Sequence, residues 1–459
     1  MKNLSIPAML SSLALCASFA MAQDITPTRV GPVSQYGQLM TGKNSQGQGR
    51  IYGSCEGVKD GAEVQVRGMS LYWSLMPQAL EFWTDEGVST MVRDMNIQIV
   101  RAAMATGNED WKGEWNGIQL KGYASDSEHQ KQFVKTVVEA AIKNDIYVII
   151  DWHSHTAHQQ TESAKEFFKE MAETYGKYDN VIFELFNEPQ KISWSEVKNY
   201  ADQVIGVIRQ YSDNLILVGN PEWDQNPHQA LGNEVTDSKK NTAYTFHYYA
   251  NTHKWEGSSD KWVSEGARAE QAINGGLSVF ISEWGTGNAD GSGDPDQGCN
   301  QCNQKWQNFA NKHKLSWANW SASKIEEGTA AFQPSSTNTS LQYTTAGNLV
   351  KSYLATNPTS YTKCGGDNGD ENGGNNNGNN ENSPIFAKTD LSYNVSVVGN
   401  TLHIAGGAAT VEIFSLKGNK IMSIDQVSGT LSLASLPVGS YFARIQMGPS
   451  KMLRAIQIK

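Results

Sequence analysis

Eight short apolar runs rich in β-branched residues set the strongest limit on what this chain can fold into. They lie at 64–70, 97–102, 147–153, 181–188, 215–220, 243–249, 278–284 and 315–320. Helix-length amphipathic stretches, such as 129–144 and 197–211, separate several of them. Strands that are hydrophobic almost throughout, rather than alternating, belong in a parallel sheet covered by helices. Eight is also the number that closes a (β/α)8 TIM barrel, and the segment 23–364 has a suitable length. A doubly wound open sheet is the rival, but no Gly-rich phosphate loop follows the first run. The predicted class is therefore α/β, with a (β/α)8 barrel.

Nearly every run ends in a chemically capable residue: Arg101, His153, Asn187 with Glu188, His247 and Tyr249, Glu283, and Trp320. Barrel enzymes act at this end, where the βα loops converge. Glu188 stands in Phe186-Asn187-Glu188-Pro189, and Pro189 biases the residue before it toward extended backbone. Glu283 stands in Phe280-Ile281-Ser282-Glu283-Trp284-Gly285. Belonging to the fourth and seventh runs, the two carboxylates would face each other across the barrel mouth. Glycoside hydrolysis needs such a pair: one protonates the leaving oxygen, and the other attacks or activates water on the far face of the sugar. The 37 basic and 47 acidic side chains give a formal charge of −10, which argues against nucleic acid or an anionic membrane as partner and suits an uncharged ligand.

Asn187-Glu188-Pro189, Ile281-Ser282-Glu283-Trp284-Gly285, Val100-Arg101-Ala102-Ala103-Met104, Asp151-Trp152-His153 and Phe246-His247-Tyr248-Tyr249 resemble the motifs of glycoside hydrolase family five. Within it they are most similar to the bacterial endo-β-1,4-glucanase branch, from about Val33 to Ser321. The resemblance implies Glu188 as acid/base, with a raised pKa, and Glu283 as the nucleophile of a retaining mechanism. It implies Arg101 and Tyr249 as hydrogen-bond partners of Glu283, Asn187 as the contact to the sugar 2-OH, and His153 and His247 as substrate-positioning groups. Trp320 matches an aromatic platform at the cleavage point, while Trp73 and Trp223 look like platforms for adjoining sugars. Lys324 resembles a sugar-binding lysine, one residue short of the usual spacing. Two departures affect subsites rather than chemistry. The stretch 105–123, with Trp111 and Trp115, is longer than usual, and Leu71-Tyr72-Trp73 stands where some members carry a His.

A rival within the class is the same mechanism on mannan, xyloglucan or mixed-linkage glucan; a rival outside it is a non-catalytic glycan-binding surface protein. Two-carboxylate hydrolysis needs no cofactor and no metal. His153, His155 and His158 invite a metal reading, but such sites draw further ligands from later strands, and the eighth run ends in Trp320 and Ser321. The loop from Asp290 to Asp296 lacks the glycine and glutamate of an EF-hand.

The ends speak of location. Lys2, the apolar stretch 10–19 and Ala20-Met21-Ala22 read as a signal peptide over 1–22, so the mature protein is expected to be secreted or at the outer cell surface, soluble and monomeric, with no membrane span. Bulky Leu15 before Cys16 disfavours lipidation. The remaining Cys55, Cys299, Cys302 and Cys364 allow three pairings. Cys299-Asn-Gln-Cys302 suits a local disulfide better than a redox or zinc motif, which leaves Cys55 with Cys364. The Asn/Gly-rich stretch 365–383 carries no apolar side chain and reads as a solvated linker. Beyond it, 384–459 shows short alternating strands punctuated by Gly turns, the pattern of a small β-sandwich. Its runs 411–418, 436–442 and 455–459 resemble type nine secretion sorting domains, implying contact with secretion machinery or the cell surface. A carbohydrate-binding module is the alternative, although the segment has no Trp.

Overall fold

The computed structural model describes residues 24–55, 63–107, 114–115, 118–259, 262–364, 394–398, 401–415, 420–447 and 450–458. The expected signal peptide, the 365–383 linker and Trp111 lie outside them, as does the side chain of Trp115. The chain divides into two compact units, Met1–Gly369 and Asp370–Lys459.

The larger unit is a closed barrel of eight parallel strands: β1 Arg67–Leu71, β2 Ile99–Ala105, β3 Tyr147–His153, β4 Val181–Glu184, β5 Ile216–Val218, β6 Thr242–Tyr249, β7 Val279–Gly285 and β8 Trp317–Ala322. Each strand pairs with its sequence neighbours, and β8 closes onto β1 through Trp317 opposite Arg67 and Trp320 opposite Ser70. The period of two decides the faces. Ile99, Ile149, Ile182 and Phe280 fill the barrel interior, while Val100, Val148, Ile150 and Ile281 meet the surrounding helices. The same alternation carries the inward face from Ile99 to Arg101 and from Ile149 through Asp151 to His153. Apolar packing thus occupies the floor, and polar groups occupy the C-terminal rim.

Helices are started by local chemistry. Ser193 accepts from the Glu196 amide and Glu196 reaches back to the Ser193 amide, a capping box before Trp194–Ile208. Thr84 caps Asp85–Met95 in the same sense. At the other end of the barrel, the hairpin Leu39–Lys43 and Gly49–Gly53 places Leu39 and Ile51 against interior residues such as Ile99 and Tyr147. No helix among the described residues is long and apolar enough to cross a membrane.

Among the described residues two disulfides are present, Cys55–Cys364 and Cys299–Cys302. The first spans 309 residues and ties the exit of the hairpin to the end of the barrel unit. Replacing both Cys55 and Cys364 by Ser is expected to cost about 2–4 kcal/mol, by freeing the unfolded chain. The check is the denaturant midpoint of the double-Ser variant against that of the oxidised native chain, and coincident midpoints would mean that the link adds no stability.

The smaller unit is all β: β9 Asn394–Val398, β10 Thr401–Ser415, β11 Lys420–Ser432, β12 Gly439–Met447 and β13 Ser450–Ile458, antiparallel throughout. Leu402, Ile404, Val411, Ile413, Ala443 and Ile445 form its core. The runs 401–404 and 409–414, which Gly406-Gly407 divides in the sequence, are one long strand. Its register against β11 shifts between Ile404 and Ala409, where the sequence reads Ala-Gly-Gly-Ala. Glycines and bulges bend a strand without ending it, so turn residues there do not make a turn.

Candidate active site

A cleft of about 640 Å³ opens at the C-terminal ends of the barrel strands. Trp73, His153, Asn187, Glu188, Trp223, His247, Tyr249, Glu283 and Trp320 all line it. A carboxylate oxygen of Glu188 lies within 4.8 Å of one of Glu283. The Glu188 side chain is 14% exposed and that of Glu283 5%, so both reach the cleft from its floor.

Arg101 is fully buried beneath this pair and uses its whole fork. Nη1 donates to Glu283 Oε2 at 2.7 Å, Nε to Glu184 Oε2 at 2.6 Å, and Nη2 to Asn187 Oδ1 at 2.6 Å, while Nη2 also forms an ion pair with Asp151 Oδ2 at 2.9 Å. Burial opposes its charge, but Asp151, Glu184 and Glu283 outweigh that and hold the guanidinium cationic. The other oxygen of Glu283 accepts from Tyr249 Oη at 2.7 Å. Burial, with Glu283 beside it, pushes the Tyr249 phenol up, so it remains a donor. Strand register builds this contact by pairing His247 with Glu283 and Tyr249 with Gly285. A Cβ on Gly285 would sit 2.2 Å from the Tyr249 ring, so glycine here lets the phenol lie across the strand.

Glu188 is held differently. His247 Nδ1 meets its Oε1 at 2.9 Å, and His155 Nε2 meets its Oε2 at 3.2 Å. The expectation of a raised Glu188 pKa is corrected here. Burial does raise it, but hydrogen bonds from His155 and His247 win and hold the carboxyl below the usual range in the free cleft. His153 bonds Asp151 at 2.8 Å, and burial, with Arg101 nearby, pushes its pKa down to about 3, so it presents a neutral ring.

The aromatic surface is continuous. The Trp320 ring stacks on His153 at 5.5 Å and 12° and meets Tyr72 at 4.9 Å. Trp73 lies 6.3 Å from Trp320. Trp223 enters from a left-handed turn, in which Glu222, Trp223 and Asp224 have φ of 62°, 57° and 60°. Three successive non-glycine residues in that region cost about 1–2 kcal/mol each, which the surrounding contacts must offset.

Lys324 does not join the cleft. It pairs with Glu81 and donates to the Ser336 carbonyl at 3.0 Å. The loop's cleft-lining acid is Glu327, which accepts from Tyr72 Oη at 2.8 Å. The ammonium of Lys324 is held instead by Glu81 and the Ser336 carbonyl. Glu184, Asp224 and Glu327 carry no assignment from the sequence, His155 enters there only in the metal reading, and Tyr72 only as part of a departure from the family pattern. Glu184 had a signal, being two residues after inward-facing Ile182 in the same run. Asp224 had none, because it sits in a turn.

Among the described residues, two of the three groups that bring three possible metal-ligand atoms together share His247: Glu184, Asp224 and His247, and Glu188, His247 and Glu283. In both, the nitrogens of His247 are already engaged by Glu188 and Ser282. Cys299 and Cys302, grouped with Asp296, are joined to each other.

Paired carboxylates at a barrel rim, one clamped by a cation and one by imidazoles, amid aromatic platforms, define a glycoside hydrolase. Comparison with known proteins agrees. Residues 58–325 match the family described as Cellulase (glycosyl hydrolase family 5), and the chain belongs to it. It is 41% identical over 296 residues to Endoglucanase Z of Dickeya dadantii, covering 63% of this chain and 62% of that protein. It is 35% identical over 332 residues to an endoglucanase of Clostridium saccharobutylicum, covering 69% of this chain and 67% of that one. Among solved structures, the catalytic domain of Thermobifida fusca endoglucanase Cel5A with cellotetraose matches with a TM-score of 0.58 and 26% identity, over 71% of this chain and 100% of that one.

Proposed function

We propose that the chain is an exported retaining endo-β-1,4-glucanase that cuts internal bonds of cellulose-like chains by double displacement. The observation that carries this reading is the approach of Glu188 and Glu283 to within 4.8 Å. Retaining pairs lie about 5–5.5 Å apart, whereas inverting pairs stand about 6.5–9.5 Å apart to admit a water. Glu283, with both oxygens oriented, attacks the anomeric carbon while Glu188 protonates the departing oxygen. Glu188 then takes a proton from water, which displaces Glu283. Asn187 bonds the sugar 2-OH, and Trp73, Trp223 and Trp320 offer flat apolar faces to the C–H faces of successive pyranoses. The endoglucanase names of the relatives support a β-1,4-glucan as substrate.

Proton NMR of the first-formed product should show the β anomer; an initial α product would rule out retention. Reducing-sugar release should be fastest on soluble cellulose derivatives, and faster release from mannan, xyloglucan or mixed-linkage glucan would move the substrate to that polymer. Export through the 1–22 signal and attachment or sorting through 384–459 belong to the same proposal. A mature N-terminus at Gln23 in culture medium or on the cell surface is the expected result, and retention of an uncleaved chain inside the cell would contradict it.

A further inference from the structure

Behind Glu188, on the side away from the cleft, the site holds more acid than clasping two carboxylates requires. His247 is buried, with Nε2 2.9 Å from Ser282 Oγ, 3.4 Å from Asp224 Oδ2 and 3.8 Å from Glu184 Oε1. Glu184 and Asp224 are both 0% exposed. One oxygen of each is anchored, Glu184 Oε2 by Arg101 and Asp224 Oδ1 by the Asn220 amide at 2.6 Å. The remaining oxygens, Glu184 Oε1 and Asp224 Oδ2, make no hydrogen bond of ordinary length and converge on the same ring nitrogen. The left-handed turn that delivers Asp224 is tied to the segment after Glu188, because the Glu222 and Trp223 amides donate to the carbonyls of Gln190 and Pro189.

We propose that Asp224 is a positioning residue that acts on Glu188 through His247, aiming the Nδ1–H at Glu188 and keeping in place the proton that Glu188 must deliver. The inference rests on the two-glutamate hydrolytic reading above. The proton on Nδ1 passes to Glu188 Oε1, leaving a neutral imidazole whose Nε2–H faces Ser282 and Asp224. Glu188 hands that proton to the leaving oxygen as its bond to the anomeric carbon breaks and the bond to Glu283 forms. In the second half, Glu188 takes a proton from water as the water oxygen bonds the anomeric carbon and the glycosyl ester to Glu283 breaks. That proton returns to His247, so the cycle closes with no net gain or loss.

The groups facing His247 are Glu184 and Glu188 from the β4 end, Asp224 after β5, His253 after β6, Glu283 on β7, and Asp151 on β3. Burial pushes the imidazole down, but Asp224 first, then Glu184 and Glu188, more than offset it and raise its pKa well above the ordinary histidine range. Burial pushes the Asp224 carboxyl up, against the pull of His247. A proton retained in this buried pair explains how Glu188 can be poor at holding one in the free cleft and still act as an acid.

The test is Asp224→Asn in the full chain, which keeps the shape and an acceptor for the Asn220 amide but cannot carry the charge. For a cello-oligosaccharide, kcat/KM is expected to fall ~10-fold or more. The alkaline limb of its pH profile should move toward acid by ~1 pH unit, because an amide cannot share the proton that the carboxylate and imidazole hold between them. For dinitrophenyl cellobioside, whose leaving group needs no proton, kcat/KM should stay within ~3-fold. Asp224→Ser, which also offers Asn220 an acceptor, should reproduce the pattern and guards against a misfolded Asn variant, with near-UV circular dichroism confirming native packing. Equal losses on both substrates, or an unmoved alkaline limb, overturn the inference and leave the functional reading standing. A native chain inert on both substrates overturns the reading itself.

Discussion

Glu283→Gln is expected to lower kcat on a soluble β-1,4-glucan by at least ~10⁴-fold, the top of what a single proton-transfer group supplies, because the covalent route is lost altogether. The fold should persist, since an amide has the carboxylate's volume and can still accept from Arg101 Nη1. Glu188→Gln should cost ~10²–10⁴-fold, as expected for an acid/base. A small anion separates the two roles. With an activated aryl cellobioside, azide should rescue Glu283→Ala by attacking from the vacated face, giving an α-glycosyl azide. It should rescue Glu188→Ala by attacking the glycosyl-enzyme, giving the β azide. Full activity in either glutamine variant, or azide products of the reverse configuration, would falsify the assignment.

The second large effect concerns Arg101, where stability and chemistry share one side chain. Arg101→Met should destabilise the barrel unit by about 3–5 kcal/mol, because Asp151 and Glu184 would remain buried without their cation. Both carboxylates are 0% exposed, and each reaches Arg101 within 2.9 Å. Arg101→Lys retains a charge but not the fork that serves Glu184, Glu283 and Asn187 together, so it should recover part of the stability and little of the activity. Denaturant midpoints with kcat for the two variants provide the check. If the Met variant matched the native midpoint, the cluster would contribute nothing to holding the rim together.

The eight strands were legible because a buried parallel strand leaves a strong local mark: apolar side chains on both faces over a short span. Their residues 181–184 and 279–283 needed no tertiary information to be read as strands. The rim residues were legible for a related reason, since alternation carries an inward face from an apolar floor to a polar end. Glu184 obeys the same rule but stands outside the Asn187-Glu188-Pro189 motif that marks the end of its run.

What the chain's linear order determined by itself is what its periodicities encode: a closed parallel barrel, the ends at which polar side chains emerge, and the cysteines available to pair. Only the tertiary structure decided which neighbours those side chains meet. It turned Lys324 toward Glu81, set Glu327 in the cleft, and drove Asp224 through a left-handed turn to His247. It also reversed the expected protonation of Glu188, because two imidazoles from separate segments outweigh burial at that carboxyl. The division has a physical reason. Strand and helix patterns arise from interactions between residues a few positions apart, whereas a charge's state depends on every group that folding brings within a few ångströms of it.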